Sequence, residues 1–360
     1  MKIIIEGSTL STKGFTGIPH YIISIQKALK NKHNIEVELA FNLKKINKFK
    51  PEVLKKTHFW YVGSILFSRT FKPAISHSLH TPFLKLNGTK KIATIHDLAV
   101  HLPEFAEFNF ASKYFQEKRY KLFQDFAKNA DAIIAVSQAT KDDYLKMFDY
   151  PEEKIHVVHL APVFKPLVTK LDNENDILNS FSIGKENYFL SVGGVSKRKN
   201  SFNLIKGFAL SGERKTTKLV FAGKIVESEM EIIKVFLKEH DLENDVVFTS
   251  YISDETLSVL YKNAKAFLFP TYYEGGFGIP IIEAMAYGLP VLTGNIGAAP
   301  EVANGYALLV DPHNPEEIAR GIVDLGNIEK DKVKLAKEYA KGFTWDKVAE
   351  ETIKVYNSVL

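Results

Sequence analysis

The stretch "FLSVGGVSKRKNSF", residues 189 to 202, decides the fold. An apolar run ending at Val192 is stopped by Gly193 and Gly194. Lys197, Arg198 and Lys199 follow, and Asn200 and Ser201 precede a new apolar periodicity. This is the pattern of a strand, a glycine turn and a helix start. Glycines permit close backbone approach, a helix N-terminus offers unbonded N–H groups, and Arg198 and Lys199 add charge, so the segment suits an anion. A solvated basic turn is the plainer use of the same residues.

Working outward, the same alternation of short β-branched runs and helical segments occurs twice, which predicts an α/β architecture with parallel sheets. In the first half "KIIIEG", "IEVELAF", "KKIATIHD", "DAIIAVS" and "KIHVVHL" suit buried strands. "IPHYIISIQKALKN" has helical spacing, and Ser137 stands where a helix N-cap belongs in "SQATKDDYLKMF". Residues 162 to 186, polar and proline-containing, form the linker. The second half continues with "YFLSVGG", "KLVFAGK", "DVVFTSY", "AKAFLFPT", "PVLTGN" and "ALLVDP" as strands, with helices beginning near Ser201, Ser253, Ile279 and Pro315. The domains expected are 1–170, 171–344 and a final helical segment, 345–360. Two doubly wound, Rossmann-like domains would face a central cleft, with ligands beyond the carboxyl ends of the strands. No G-x-G-x-x-G or P-loop follows a first strand, which argues against nicotinamide, flavin and Walker-type nucleotide sites.

A chain of 360 residues is long enough for two cores, and 45% hydrophobic with 25% charged residues is a globular composition. No apolar run approaches the roughly 18 residues that would span a bilayer, and "MKIIIEGS" lacks the pattern of a signal peptide. The absence of cysteine excludes disulfides and thiolate metal sites and fits a cytoplasmic protein. Residues 1 to 72 hold 13 Lys/Arg against 4 Asp/Glu, clustered at Lys44, Lys45, Lys48, Lys50, Lys55 and Lys56. That cluster suits a solvated face or peripheral contact with anionic lipid at the inner membrane surface. No nucleic-acid module accompanies it.

A second motif, "TYYEGGFGIPIIEAMAYGLPV" at 271 to 291, sets Glu274 and Glu283 around Gly275, Gly276, Phe277 and Gly278. Backbone amides here can meet phosphate or hydroxyl oxygens, and carboxylates can accept sugar hydroxyl hydrogens. Pro280 near the helix start places Glu283 in the first turn, at the positive helix end. Capping by Glu283 and a surface Glu274 are the structural alternatives. In the first half, His96 and Asp97 close the strand "TIHD". The pairs His77/His80 and His156/His159 sit on strand ends without cysteine or carboxylate partners, so no metal site is expected.

"SVGGVSKRKN", "LVFAGK", "YISDETLSVLYKNAKAFLFPTYYEGGFGIPIIEAMAYGLPVLTGN", "APEVANGYALLVDPHNPEEIARGI" and "FTWDKVAEE" together resemble the C-terminal domain of the retaining family four glycosyltransferases of the GT-B fold. "TGIPHY", "TIHDL" and "AVSQATKDDY" resemble that family's glycine loop, histidine and acceptor-domain segments, so the likeness covers nearly the whole chain. The resemblance implies transfer of a sugar from a nucleotide diphosphate sugar to an acceptor hydroxyl, with retention and without a catalytic metal. The nucleotide sugar is a co-substrate and no cofactor is implied. Carried over, Arg198, Lys199, the amides after Gly275 and the loop around Gly17 stabilise the leaving diphosphate. Glu283 binds ribose hydroxyls, Glu274 contacts the donor sugar, and His96 faces that sugar near its reacting centre. The final helix would cross back to the first domain.

Three departures from the family pattern stand out. Eight residues separate Glu274 and Glu283 where seven are usual, Gly194 replaces a frequent arginine, and the glycine loop reads Gly17-Ile18-Pro19-His20-Tyr21. Among relatives, the style of "TIHDL" and "RKN" most resembles O-antigen mannosyltransferases of lipopolysaccharide synthesis, which implies GDP-mannose as donor and a glycan or lipid-linked oligosaccharide as acceptor. A UDP-sugar donor, or a binding protein without turnover, are the alternatives.

Overall fold

A computed structural model describes residues 1–11, 17–49, 59–62, 65–66, 72–79, 81–103, 112–162 and 173–360. The chain divides into two units, one of residues 1–163 with 344–360 and the other of residues 164–343. The expected boundary at 170/171, much of the expected linker, His80, and Lys50, Lys55 and Lys56 lie outside the described residues.

Among the described residues the first unit has eight strands: β1 (Lys2–Glu6), β2 (Glu36–Asn42), β3 (Phe59–Val62), β4 (Ile65–Leu66), β5 (Ile75–Ser78), β6 (Lys90–Ile95), β7 (Ala132–Ala135) and β8 (Ile155–Val157). Their spatial order is β4-β3-β2-β1-β5-β6-β7-β8, parallel throughout except for the β3–β4 pair. The sequence reading names no strand at β3 or β4, and of β5 it places only His77, at a strand end. "ISHS" at β5 is bonded by β1 and β6 on both sides. Its buried His77 is satisfied through both ring nitrogens, by Tyr356 Oη at 2.8 Å and Thr94 Oγ1 at 2.7 Å. Tertiary partners thus make a strand from residues whose local preference is for turns.

Helices α1 (Ile18–Lys30), α2 (Lys113–Asn129) and α3 (Gln138–Met147) pack on this sheet. The Ser137 hydroxyl accepts the Thr140 amide at 3.1 Å, so α3 starts where its cap residue predicts. The last helix, Trp345–Asn357, belongs to this unit. Trp345 Nε1 donates to the Pro162 carbonyl at 3.0 Å, and Lys32 pairs with Glu350 at 2.9 Å.

The second unit holds β9 (Tyr188–Val192), β10 (Lys218–Ala222), β11 (Val246–Phe248), β12 (Ala266–Phe269), β13 (Val291–Gly294) and β14 (Leu308–Val310) in one parallel sheet. Helices α4 (Glu174–Ser180), α5 (Ser201–Ser211), α6 (Glu227–Glu239), α7 (Asp254–Asn263), α8 (Ile279–Tyr287), α9 (Ala299–Ala303), α10 (Pro315–Asp324) and α11 (Lys330–Ala340) accompany it. Continuous apolar strands require cover on both faces, and β9, β10 and β12 are buried along nearly their whole length. Phe189, Phe208 and Phe221 anchor one core cluster, each burial contributing roughly 2 kcal/mol. Ser253 and Asn314 cap α7 and α10 with bonds of 3.1 and 3.0 Å.

Candidate functional site

The strand order of the second sheet, β11-β10-β9-β12-β13-β14, reverses direction between β9 and β12. At such a switch point the loops leaving two neighbouring strands diverge and open a crevice beyond their carboxyl ends. Those loops here are residues 193–200 and 270–278, the two segments that the sequence singles out.

They meet through Lys199 and Glu274. Lys199 Nζ lies 2.9 Å from Glu274 Oε2, with the side chains only 14% and 12% exposed. The ammonium also sits 4.5 Å from the centroid of Phe269, the last residue of β12. Burial raises the Glu274 pKa, but Lys199 and Arg198 outweigh it, and the carboxyl is held below its ordinary value. The group is therefore an anion between two cations.

Around this pair several polar atoms are buried without a hydrogen-bond partner: Arg198 Nη1, Asn200 Oδ1 and the Thr271 hydroxyl. Buried polar atoms are normally bonded, so three orphans beside one crevice point to a ligand. Asn200 also shapes the crevice. Its left-handed backbone begins α5, and its Nδ2 donates to the carbonyls of Pro270 and Pro312 at 2.8 and 2.6 Å, joining three loops. Asn200 as a clamp, Thr271 and Phe269 were not identified from sequence. Their roles depend on strands distant in the chain.

Gly193 and Gly194 serve the loop itself. Both amides donate to the Ala222 carbonyl at 3.0 Å. At Gly194, with φ of +85°, a Cβ would lie 2.0 Å from the Lys224 carbonyl oxygen. The close approach that these glycines permit in the structure is therefore by the loop after β10.

Gly275, Gly276, Phe277 and Gly278 are all buried in the turn between Glu274 and α8. Phe277 packs its ring 5.6 Å from that of Phe343. Gly278, at φ +80°, leaves room for the Glu274 side chain, whose Cγ would be 3.3 Å from an added Cβ. No side chain caps α8. One expectation is corrected here: Glu283 is not in the first turn, because the left-handed Gly278 starts the helix at Ile279 and makes Glu283 its fifth residue. There Glu283 is 5% exposed and accepts a hydrogen bond from the Tyr261 hydroxyl at 3.1 Å. Tyr261, stacked 5.3 Å from Tyr287, was not found from sequence either.

In the first unit, Gly17 caps α1 with φ of +62°. Residues 12–16 of its loop lie outside the described residues. His96 directly follows β6, and Tyr21 contacts it edge-on at 4.8 Å. Burial, with the charge of Arg119, lowers the His96 pKa to about 3, so the imidazole is neutral near pH 7. Among the described residues no group of three His, Asp or Glu could hold a metal ion, and no helix is long and apolar enough to cross a membrane.

Comparison with known proteins agrees with both units. The family model Glycosyltransferase Family 4 matches residues 18–161, and Glycosyl transferases group 1 matches residues 172–342. O-antigen chain mannosyltransferase B of Escherichia coli is 26% identical, over 80% of this chain and 75% of its own. O-antigen chain mannosyltransferase RfbU of Salmonella typhimurium is also 26% identical, over 87% and 81%. Among solved structures, Anabaena Alr3699/HepE in complex with UDP superposes with a TM-score of 0.73 and 14% identity, covering 99% of this chain and 100% of that one. The chain belongs to the GT-B glycosyltransferases, with a Family 4 region followed by a group 1 region.

Proposed function

We propose that this glycosyltransferase moves mannose from GDP-mannose to a hydroxyl of a growing cell-surface glycan of the O-antigen class, with retention and without a catalytic metal. The observation that carries the donor half is the meeting of Arg198, Lys199 and Glu274 at the β9/β12 switch point. The two O-antigen mannosyltransferase relatives support the sugar and the acceptor class.

In this reading the Lys199–Glu274 pair holds the place of the donor. A diphosphate draws Lys199 and the unpartnered Arg198 Nη1 to its oxygens, and Glu274 turns to the hydroxyls of the sugar. As the bond from C1 to the diphosphate breaks, charge grows on the leaving oxygen, where the two cations stabilise it. The acceptor hydroxyl forms the new bond to C1 on the same face and gives its proton to the departing phosphate. Glu283, fixed by Tyr261, accepts from the ribose hydroxyls. The first unit holds the acceptor, where His96 contributes a neutral imidazole and Gly17 an unobstructed backbone. Exposed Leu43 and Ile46 beside Lys44 and Lys48 suit contact with the anionic inner face of the cytoplasmic membrane.

The test is incubation with a panel of GDP-, UDP- and dTDP-sugars, with and without a chelator, scoring donor turnover and the anomeric configuration of the product. GDP-mannose should be preferred, with the α-linkage kept and the chelator without effect. Preference for a UDP-sugar would overturn the donor assignment, and binding without turnover of any donor would make the chain a nucleotide-sugar-binding protein. Sedimentation with neutral and anionic liposomes tests the membrane contact, which equal recovery would refute.

A further inference from the structure

A buried carboxylate with one unused oxygen stands at the switch point of the first sheet. The order β4-β3-β2-β1-β5-β6-β7-β8 sends the chain from β1 to one side and brings it back at β5, so the loops leaving these two neighbours diverge beyond their carboxyl ends. Glu6 is the last residue of β1 and is only 2% exposed. Its Oε1 accepts the Ser8 amide at 2.8 Å and the Tyr61 hydroxyl at 2.7 Å. Its Oε2 is buried without a hydrogen-bond partner.

The donors bonded to this carboxylate are already committed. The Ser8 hydroxyl oxygen accepts the Asn42 amide at 2.8 Å and lies 3.1 Å from the Tyr61 hydroxyl. Because Tyr61 gives its one hydroxyl hydrogen to Glu6, the Ser8 hydroxyl must donate to Tyr61. Burial, and then the charge of Glu6, raise the Tyr61 pKa, so the phenol keeps that hydrogen. Ser8 and Tyr61 are buried as well. The run Ser8, Tyr61, Glu6 therefore fixes the carboxylate in place through Oε1, and no hydrogen within it remains for Oε2.

A carboxylate oxygen shut away from water costs free energy until a donor meets it. Its partner must bring a hydrogen, which excludes phosphate and carboxylate groups and leaves a hydroxyl or an ammonium. Lys45 Nζ, 3.5 Å from the Ser8 carbonyl oxygen, already sets a positive charge beside the cluster and disfavours a second. We propose that Glu6 Oε2 receives a hydroxyl of the acceptor saccharide and thereby selects how that saccharide is presented for transfer. That the hydroxyl belongs to a sugar rests on the transferase reading. The hydroxyl-binding carboxylate stands on the geometry of the first unit.

The probe is methyl α-mannoside, the sugar of the proposed function, with its monodeoxy analogues; binding to the full chain is followed by NMR on the ligand's own signals. Wild type should bind one analogue about tenfold more weakly, the one lacking the hydroxyl that meets Oε2. Glu6→Gln, nearly the same in shape, should bind the parent mannoside about tenfold more weakly and no longer distinguish that analogue. Equal discrimination in wild type and Glu6→Gln, or none in wild type, would overturn the site and leave Oε2 to an internal water. If Glu6→Gln does not fold, Tyr61→Phe carries the test, because it takes a donor from Oε1 and none from the ligand. Discrimination should then persist or grow, and its loss would overturn the proposal. GDP-mannose turnover, read in the same samples, reports on the transferase reading separately. Turnover without mannoside binding sinks the hydroxyl site alone, and mannoside binding through Glu6 without turnover sinks the transferase reading alone.

Discussion

If Lys199–Glu274 holds the donor's place, its two partners should respond to substitution in opposite ways. Lys199→Met removes a group that exchanges a carboxylate for phosphate, and Glu274→Gln removes the competitor. At 2.9 Å and an effective dielectric constant near 20, the attraction within the pair is about 6 kcal/mol before desolvation is counted. After desolvation a charge-assisted hydrogen bond retains about 1.5–3 kcal/mol. Loss of Lys199 should therefore weaken nucleoside diphosphate binding about ten- to hundredfold. It should also destabilise the free protein at pH 7, because Glu274 is left buried with Arg198 as its remaining cation. Glu274→Gln should bind the diphosphate as tightly as wild type or more so, while transfer falls at least about tenfold, a loss of 1.4 kcal/mol in the transition state. Titration calorimetry with GDP and steady-state transfer rates on the same preparations separate these outcomes. A Glu274→Gln enzyme that loses diphosphate affinity tenfold yet transfers normally would refute the reasoning, as would a Lys199→Met enzyme with unchanged affinity.

Further outcomes follow from other parts of the structure. Tyr261→Phe takes the hydroxyl from buried Glu283 and should cost about 1–3 kcal/mol in urea unfolding, with several-fold weaker nucleoside binding; no change in either measurement would deny Tyr261 its positioning role. Gly194→Ala must find room 2.0 Å from a carbonyl oxygen at φ +85°, and should destabilise by about 3 kcal/mol or more, whereas Gly305→Ala, with φ +77° and no neighbour within 4 Å, should cost only about 1–2 kcal/mol; equal midpoints would contradict this. The His77 pKa is lowered to about 3 by burial first and then by the charge of His96, so the unfolded chain binds the extra proton between about pH 6.5 and 3. Stability should fall with pH across that window, and His77→Gln should flatten the dependence between pH 4 and 6 by about 1.4 kcal/mol per unit. Parallel wild-type and variant curves would show that His77 does not titrate as its burial requires.

Much of this molecule is readable as local pattern. The apolar runs at β9, β10 and β12, the caps Ser137, Ser253 and Asn314, and the basic loop after Val192 each act over a few residues. Their periods and capping chemistry therefore appear in a short window of sequence. That was enough for two α/β units and for naming Arg198, Lys199, Glu274 and Glu283. Of β5 only His77, at a strand end, was legible, because the short run "ISHS" is held as a strand by β1 and β6.

The tertiary structure alone decided what each of these residues touches. Lys199 and Glu274 lie 75 positions apart and meet because β9 and β12 are neighbours in the sheet. Glu283 faces Tyr261 because Gly278 sets where α8 begins. A residue's type fixes which chemistry it can perform and its neighbours in sequence fix the local backbone. Strand order and helix phase, which depend on the whole core, fix which charges come together.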